Sequence, residues 1–187
     1  MDTFLWMFRS VTLIFGFLYI FPFGVNQSHC YQKTLLSAAA SNALRLQQRL
    51  GYFEFSLAFL HRVIAEDACH YLFYSAAFLG CTPMTMALMP VFIFALLHWS
   101  TFTIQLLTSI GKSGSFLCRN LIRFNQSYTQ SLLQVVSFCE MFLMPLVIVM
   151  VFSGRCNLFI PIIYYRFLTL RYVSRRNPYT RQVVISN

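Results

Sequence analysis

The chain has 187 residues, of which 58% are hydrophobic and only 10% are charged. Soluble domains carry roughly a quarter charged residues, and a fold of this size in water has too little interior to bury so much apolar surface. The composition therefore excludes a soluble catalytic domain and indicates an all-α integral membrane protein, for which lipid is the solvent.

The charge is strongly unbalanced, with fourteen Lys and Arg residues against five Asp and Glu and a formal net charge of +9. Such an excess is typical of nucleic-acid binding, of binding to anionic lipid, or of the cytosolic loops of a membrane protein. We favour the loops, because the arginines lie beside apolar segments. We expect no nucleic-acid partner. The six cysteines have no CxxC spacing, so we expect free thiols and no metal or other cofactor.

The first apolar segment covers residues 4–25 and is interrupted only by Arg9. Its uncharged part is short for a membrane crossing, but a long arginine side chain can reach the interface and extend it. A cleaved signal peptide is the alternative, although Asp2 offsets the charge of Arg9 and no small-residue cleavage site follows. We predict a membrane-spanning helix.

Two less apolar helices are predicted next. After a polar connector over 26–33, apolar residues recur at helical spacing over 34–50, with Asn42, Arg45 and Arg49 on the other face. A second helix is predicted over 54–80. Its apolar half, 68–79, is too short to cross about 30 Å of hydrocarbon at about 1.5 Å per residue. We predict that the first helix lies in the headgroup layer or packs on a neighbouring helix, and that the second is interfacial or only partly inserted.

Two further spans are predicted over 84–104, which has no formal charge, and over 135–153. The polar loop between them, 105–134, contains Gly-Lys-Ser-Gly, which lacks the first glycine and the flanking strand of a phosphate-binding loop. The apolar stretch 158–173 is predicted to be a return arm or an interfacial helix. Residues 1–176 thus form one helical membrane domain, and 177–187 a short basic cytosolic tail.

The distribution of basic residues predicts an orientation. With three spans, the 26–83 loop and the C-terminal region share one side and carry ten of the fourteen Lys and Arg residues. Because cytosolic loops are enriched in these residues, this side is predicted to be cytosolic. The C-terminus is then cytosolic and the N-terminus lumenal.

A polar cluster begins at Glu66 and continues through Asp67 to His70. Glu66 and His70 are four residues apart and share a helix face, as metal ligands or a proton relay would. A metal site would need a distant third ligand, for which His98 and Glu140 are the candidates. The structural alternative is an ion pair at the end of the helix.

Glu140 lies inside a predicted span, where a charge costs at least about 2.5 kcal/mol at the bilayer centre. Such residues are usually paired, and His70 and Arg62 are the candidate partners. A small transporter or channel would need several of these groups around one cavity, and only Glu140, His98 and His70 qualify.

Aromatic residues and arginines mix in the C-terminal region. The candidates for contact with lipid or a partner are Tyr164, Tyr165, Arg166, Arg171, Arg175 and Arg176. A belt of this kind binds anionic headgroups, with about 1 kcal/mol from each basic residue near the surface. Ordinary enrichment of cytosolic segments in arginine is the alternative explanation.

These stretches also resemble a known family. ALRLQQRL at 43–50, EDACHYL at 66–72, FLMP at 142–145, FSG at 152–154, the aromatic and arginine run at 164–172 and SRRNPY at 174–179 are similar to segments of the transmembrane protein 33 family, also called the Krüppel homologue 2 family, which has fungal nuclear-pore membrane relatives.

The resemblance implies a multi-pass protein of the endoplasmic reticulum membrane and the nuclear envelope, without enzymatic activity or cofactor. It implies a role in organising the tubular reticulum and nuclear pores, with reticulon-type proteins and nuclear pore components as partners. The alternatives are an adaptor that regulates reticulum membrane proteins in stress signalling without bending the membrane and, less favoured, the transporter or channel.

Overall fold

The computed structural model describes residues 2–22, 24–51 and 56–173, and the side chains of this last range as far as Thr169. These residues form seven helices and no strand, which confirms the all-α prediction. The helices are α1 (Asp2–Ile20), α2 (Gln27–Leu50), α3 (Leu57–Ile64), α4 (Asp67–Leu79), α5 (Thr85–Ser109), α6 (Phe116–Phe152) and α7 (Phe159–Val173). Three of them, α1, α5 and α6, are long and apolar enough to cross a membrane.

Helices α1 and α5 run antiparallel in close contact. The Trp6 indole donates to the Thr103 hydroxyl over 3.0 Å at one end, and the Tyr19 and Thr85 hydroxyls lie 3.3 Å apart at the other. Between these contacts, Gly16 faces the ring of Phe92 so closely that an added Cβ would lie 2.5 Å from ring atom Cδ2. The absence of a side chain at Gly16 therefore sets the separation of the two helices.

Helix α2 lies along the whole length of α1, in the opposite direction. The hydroxyls of Thr12 and Ser37 are 2.8 Å apart, and Gln48 donates to the Asp2 carboxylate over 3.4 Å. The helix begins at Gln27, where the Asn26 side chain accepts from a backbone N–H, so the predicted connector over 26–33 is wrong. Because Asn and Ser also cap helices, their presence was mistaken for a loop.

The predicted single helix over 54–80 is wrong as well, because two helices, α3 and α4, occupy this region. Glu66 has an extended backbone (φ −89°, ψ 127°) and stands at the N-cap position of α4. Most of α4 is buried against α2 and α7, including Tyr71, Tyr74 and Phe78. Side chains of α4 therefore contribute mainly to the core of the bundle.

Helices α5 and α6 form a long antiparallel hairpin. The expected polar loop over 105–134 shrinks to a short turn, because α5 continues to Ser109 and α6 begins at Phe116. The polar side chains that suggested a loop are bonded within the hairpin: the Ser100 hydroxyl donates to Asn125 over 2.8 Å, and that of Thr129 donates to the Asn125 carbonyl over 2.5 Å. The apolar second half of α6 contains the span predicted over 135–153.

Helix α7 is the return arm of the sequence prediction and packs on α4 and α6. Its buried residues, Ile160, Tyr164 and Phe167, follow helical spacing along one face. Tyr164 contacts the ring of Phe78 near the end of α4, and Phe167 contacts that of Tyr71 near its beginning. Hence α7 runs antiparallel to α4.

We call the end of the bundle where α1 begins, α2 ends, α4 begins and the α5–α6 turn lies the basic end. It carries Arg9, Arg45, Arg49, Arg62, Lys112, Arg119 and Arg123, whereas Lys33 and Arg155 lie nearer the opposite end. The predicted orientation placed all of residues 26–83 on one side of the membrane. That premise is wrong, because α2 runs the length of the bundle and brings Arg45 and Arg49 to the end where α1 begins.

A valine at position 16 tests the α1–α5 contact. We expect Gly16→Val to destabilise the protein by about 1–3 kcal/mol, because the new side chain must displace the Phe92 ring. The matched control is Gly80→Val, where an added Cβ meets nothing within 4 Å. Thermal unfolding of the purified protein in detergent, followed by circular dichroism, measures both. Equal midpoints for the two variants would contradict the close packing described here.

Candidate functional site

A fully buried carboxylate, that of Glu140, lies where α4, α6 and α7 meet. The Tyr71 hydroxyl of α4 donates to its Oε1 atom, and the Tyr164 hydroxyl of α7 donates to its backbone carbonyl over 2.6 Å. The rings of Phe94 and Phe167 pack on Tyr71. A buried carboxylate needs hydrogen-bond donors to offset its lost hydration, and the tyrosine from α4 supplies one. Glu140 therefore ties three helices together.

A second tyrosine of α4 bonds to the backbone near a proline. Pro90 has no N–H to give to the carbonyl four residues earlier, and the Tyr74 hydroxyl donates to the neighbouring carbonyl of Ala87 over 2.8 Å. In α6, the Tyr164 hydroxyl donates to the carbonyl of Glu140, five residues before Pro145. Helices inside a membrane tolerate proline where neighbouring side chains bond to nearby backbone groups, and Tyr74 and Tyr164 each bond a carbonyl close to a proline.

The polar cluster at the start of α4 closes the corner between α2, α3 and α4. The Arg49 guanidinium donates to the Glu66 carboxylate over 2.5 Å. Nε2 of His70 lies 2.6 Å from the carbonyl of Ile64, which can only accept, so this nitrogen carries the proton. The other ring nitrogen is 4.0 Å from the Asp67 carboxylate. Among the described residues, no three His, Cys, Asp or Glu side chains come together as a metal site requires.

His98 lies on α5, in a different setting from His70. Its Nε2 atom is 2.7 Å from the Arg45 guanidinium, which has no acceptor, so His98 accepts and is a neutral ring protonated at Nδ1. His98 lines a cavity at the basic end. Glu140 and His70 are not among the described residues that line it, but Tyr71, which bonds Glu140, and Asp67, which lies beside His70, are.

The C-terminal candidates for contact with lipid differ in exposure, and some lie outside the described residues. Tyr165 and Arg166 are exposed on α7, whereas Tyr164 is buried with its hydroxyl bonded to the Glu140 carbonyl. The side chain of Arg171 and the whole of Arg175 and Arg176 lie outside the described residues. Exposure leaves Tyr165 and Arg166 able to meet lipid, and this role stays a prediction.

One exposed feature was missed at the sequence level. Ser56 caps α3, and the helix turns Leu57, Leu60 and Ile64 outward while Phe59 is buried beneath it. Residues at this spacing share one helix face. The sequence analysis does not separate this stripe, because it predicts 57–64 as the polar half of a longer helix. The available signal is Ser56, a residue type that favours the N-cap position and marks the start of a new helix.

Removal of the phenol tests the role of Glu140. We expect Tyr71→Phe to destabilise the protein by about 1–3 kcal/mol, because a buried carboxylate loses a donor. In the double variant Tyr71→Phe with Glu140→Gln, the loss is expected to be smaller than the sum of the single losses, because both changes break one bond. Chemical denaturation in detergent measures all three variants, with the exposed Tyr165→Phe as control. Strictly additive losses would contradict the bond.

The sequence is similar to known membrane proteins over nearly its whole length. The family model described as Transmembrane protein 33/Nucleoporin POM33 matches residues 1–186. Transmembrane protein 33 of Rattus norvegicus is 43% identical over 185 residues, which cover 98% of this chain and 75% of that protein. Krueppel homolog 2 of Drosophila melanogaster is 40% identical over 180 residues, which cover 96% of this chain and 65% of that protein.

No solved structure matches the chain. The extent of the sequence match confirms the resemblance seen in the short motifs, and the three long apolar helices agree with membrane insertion. The chain is a multi-pass membrane protein that belongs to the Transmembrane protein 33/Nucleoporin POM33 family.

Proposed function

We propose that this chain is a non-enzymatic membrane protein that organises the tubular endoplasmic reticulum and the nuclear envelope, including nuclear pores. The family is described as Transmembrane protein 33/Nucleoporin POM33, and the nucleoporin in that description supports the link to the pore. Reticulon-type proteins and nuclear pore components are the proposed partners. The mechanism rests on insertion of a short helix into one leaflet of the bilayer.

The exposed apolar stripe of α3 is the observation that carries this proposal. Leu57 is 79% exposed and Leu60 51% exposed on a helix of eight residues, far too short to cross the bilayer. The helix lies at the basic end, beside the Arg49–Glu66 pair. A short amphipathic helix at this level buries its apolar face between headgroups and expands that leaflet, which favours curvature.

The other short helices fit this role less well. Residues 68–79, predicted from the sequence to be interfacial or partly inserted, lie in α4, which is mostly buried within the bundle. Helix α7, predicted to be a return arm or an interfacial helix, packs lengthwise on α4 and α6 and exposes Phe159, Ile162 and Ile163 on its outer face. That face is suited to contact lipid chains or another transmembrane helix, which favours an adaptor as the second candidate function.

The charge distribution supports an orientation in which the basic end faces the cytosol. Of the ten Lys and Arg residues whose side chains are described, seven lie at this end, two lie nearer the other, and Arg166 lies midway along α7. Cytosolic segments are enriched in such residues. Because α1 begins there and α7 runs towards it, we place both the start of α1 and the end of α7 on the cytosolic side. The proposal keeps the cytosolic C-terminus and moves the N-terminus from the lumen to the cytosol.

Reconstitution into liposomes tests the leaflet wedge. We expect the purified protein to form tubules or to prefer small vesicles, and Leu57→Gln with Leu60→Gln to weaken this effect. The matched control is Phe116→Gln with Leu117→Gln, which removes side chains of similar exposure (78% and 53%) from the start of α6. Electron microscopy and vesicle flotation provide the readouts. Retained tubulation in the α3 variant, or an equal loss in both variants, would sink the wedge mechanism.

Thiol labelling of sealed microsomes tests the orientation. We expect a membrane-impermeant maleimide to label Ser113→Cys, in the turn at the basic end, without permeabilisation. It should label Ser153→Cys, at the opposite end, only after detergent is added. Both variants carry Cys156→Ser, because Cys156 is half-buried whereas the other five cysteines are buried and shielded from the reagent. The reverse labelling pattern would restore a lumenal N-terminus.

A further inference from the structure

A cavity of about 440 Å³ opens at the basic end between five helices, α1, α2, α4, α5 and α6. Three arginines line it: Arg9 from α1, and Arg45 and Arg49 from α2. The rest of the wall is apolar side chains together with small polar ones, among them Asn42, Asn125 and Thr129. Guanidinium, amide and hydroxyl groups from separate helices thus converge on one partly enclosed space.

Among the described residues that line the cavity, the balance of charge is positive. One carboxylate, that of Asp67, stands there against three guanidinium groups. The Glu66 carboxylate, outside the lining, bonds Arg49. Arg45 is held against the neutral His98 ring, which orients its fork of N–H donors without adding negative charge. Like charges that share a partly enclosed space repel one another, and an anion between them removes that cost.

The side-chain amide of Asn125 provides a further N–H donor in the cavity wall. Oδ1 of Asn125 accepts from the Ser100 hydroxyl, which turns the amide nitrogen of Asn125 towards Thr101, 3.4 Å away. Thr101 also lines the cavity. The wall therefore offers N–H donors from arginine and asparagine side by side, and this donor set matches the oxygens of a phosphate group.

The position of the cavity along the bundle agrees with a headgroup. The apolar half of α6 ends at about 135, and Asn125 and Thr129 lie just beyond it towards the basic end. About 30 Å of hydrocarbon takes about twenty residues of α6 counted back from Phe152, which puts its boundary close to Leu132. With Phe152 placed at the far boundary, Asn125 and Thr129 lie at the level of the lipid headgroups, and Arg9 and Arg45 face the same cavity.

We propose that this cavity is a binding site for a phosphate group, supplied by the headgroup of an anionic phospholipid. The arginines bind the phosphate oxygens, and Asn125 and the nearby hydroxyls complete the contacts. The volume is within the range of ligand sites and leaves room for more than a bare phosphate ion, such as the glycerol of a lipid. The proposal is independent of the leaflet wedge, because none of its residues belongs to α3.

The two tryptophans of the chain provide a built-in readout. Trp99 follows His98 and donates to Ser10, the residue after Arg9, and it stacks on Trp6 with 6.4 Å between ring centroids. Occupation of the cavity should change their fluorescence. The full chain in a non-ionic detergent and phosphate-free buffer is titrated with dihexanoyl phosphatidic acid, with dihexanoyl phosphatidylcholine, and with inorganic phosphate.

We expect a saturable change with phosphatidic acid and none with phosphatidylcholine in the same concentration range. Arg45→Gln should weaken binding by about tenfold or more, because a charge-assisted bond is lost. Asn125→Asp, which keeps the bond from Ser100 but adds a negative charge, should weaken it as well. Arg119→Gln, an exposed arginine at the same end and outside the cavity lining, should bind as the wild type does.

The outcomes separate the sources of the phosphate and the kinds of failure. Equal affinity for inorganic phosphate would keep a phosphate site but overturn its assignment to lipid. A loss of binding in Arg119→Gln as large as in Arg45→Gln would reduce the effect to surface charge and overturn the site. If Arg45→Gln fails to fold, Asn125→Asp decides, and wild-type affinity in that variant, or no saturable change in the wild type, overturns the proposal.

Discussion

The bilayer offers no hydrogen bonds, and this constraint governs how the polar helix α2 is placed. Its inward face carries the hydroxyls of Thr34, Ser37 and Ser41, which need hydrogen-bond partners away from water. Each has a carbonyl of α2 itself within hydrogen-bonding distance, and the Ser37 hydroxyl also lies 2.8 Å from that of Thr12 in α1. The spans α1 and α5 and the buried helix α4 pack around α2 and shield its polar face from lipid.

The same constraint explains the polar groups of the site. Each of three polar residues bonds to a group in another helix. Glu140 bonds to Tyr71, His70 to the Ile64 carbonyl and His98 to Arg45, so each bond joins two different helices. Such bonds fix the register of neighbouring helices, because in lipid the hydrophobic effect does not favour one pairing of apolar helix surfaces over another. Structural tethering accounts for these three residues without a transport pathway.

The sequence predicted the three apolar spans because composition and length suffice for that purpose. It failed for the first two turns of α2 and for the first half of α6, where Asn, Ser and Gln suggested loops although their side chains bond within helices or across the α5–α6 hairpin, as Asn125 does. Local composition does not reveal which neighbour shields a polar face. The cavity was invisible for the same reason, because Arg9 and Arg45 are distant in sequence and meet only after α2 folds back along α1.

Helix α6 has thirty-seven residues, which amount to about 55 Å at about 1.5 Å per residue. The hydrocarbon layer takes up about 30 Å of this length. Paired with the last turns of α5, the remaining portion forms a stiff post that holds the 110–115 turn about 25 Å beyond the hydrocarbon boundary, a distance that includes the headgroup layer. A partner that docks on this turn is thereby held at a set height from the membrane, a spacing that a flexible linker of equal length would not impose.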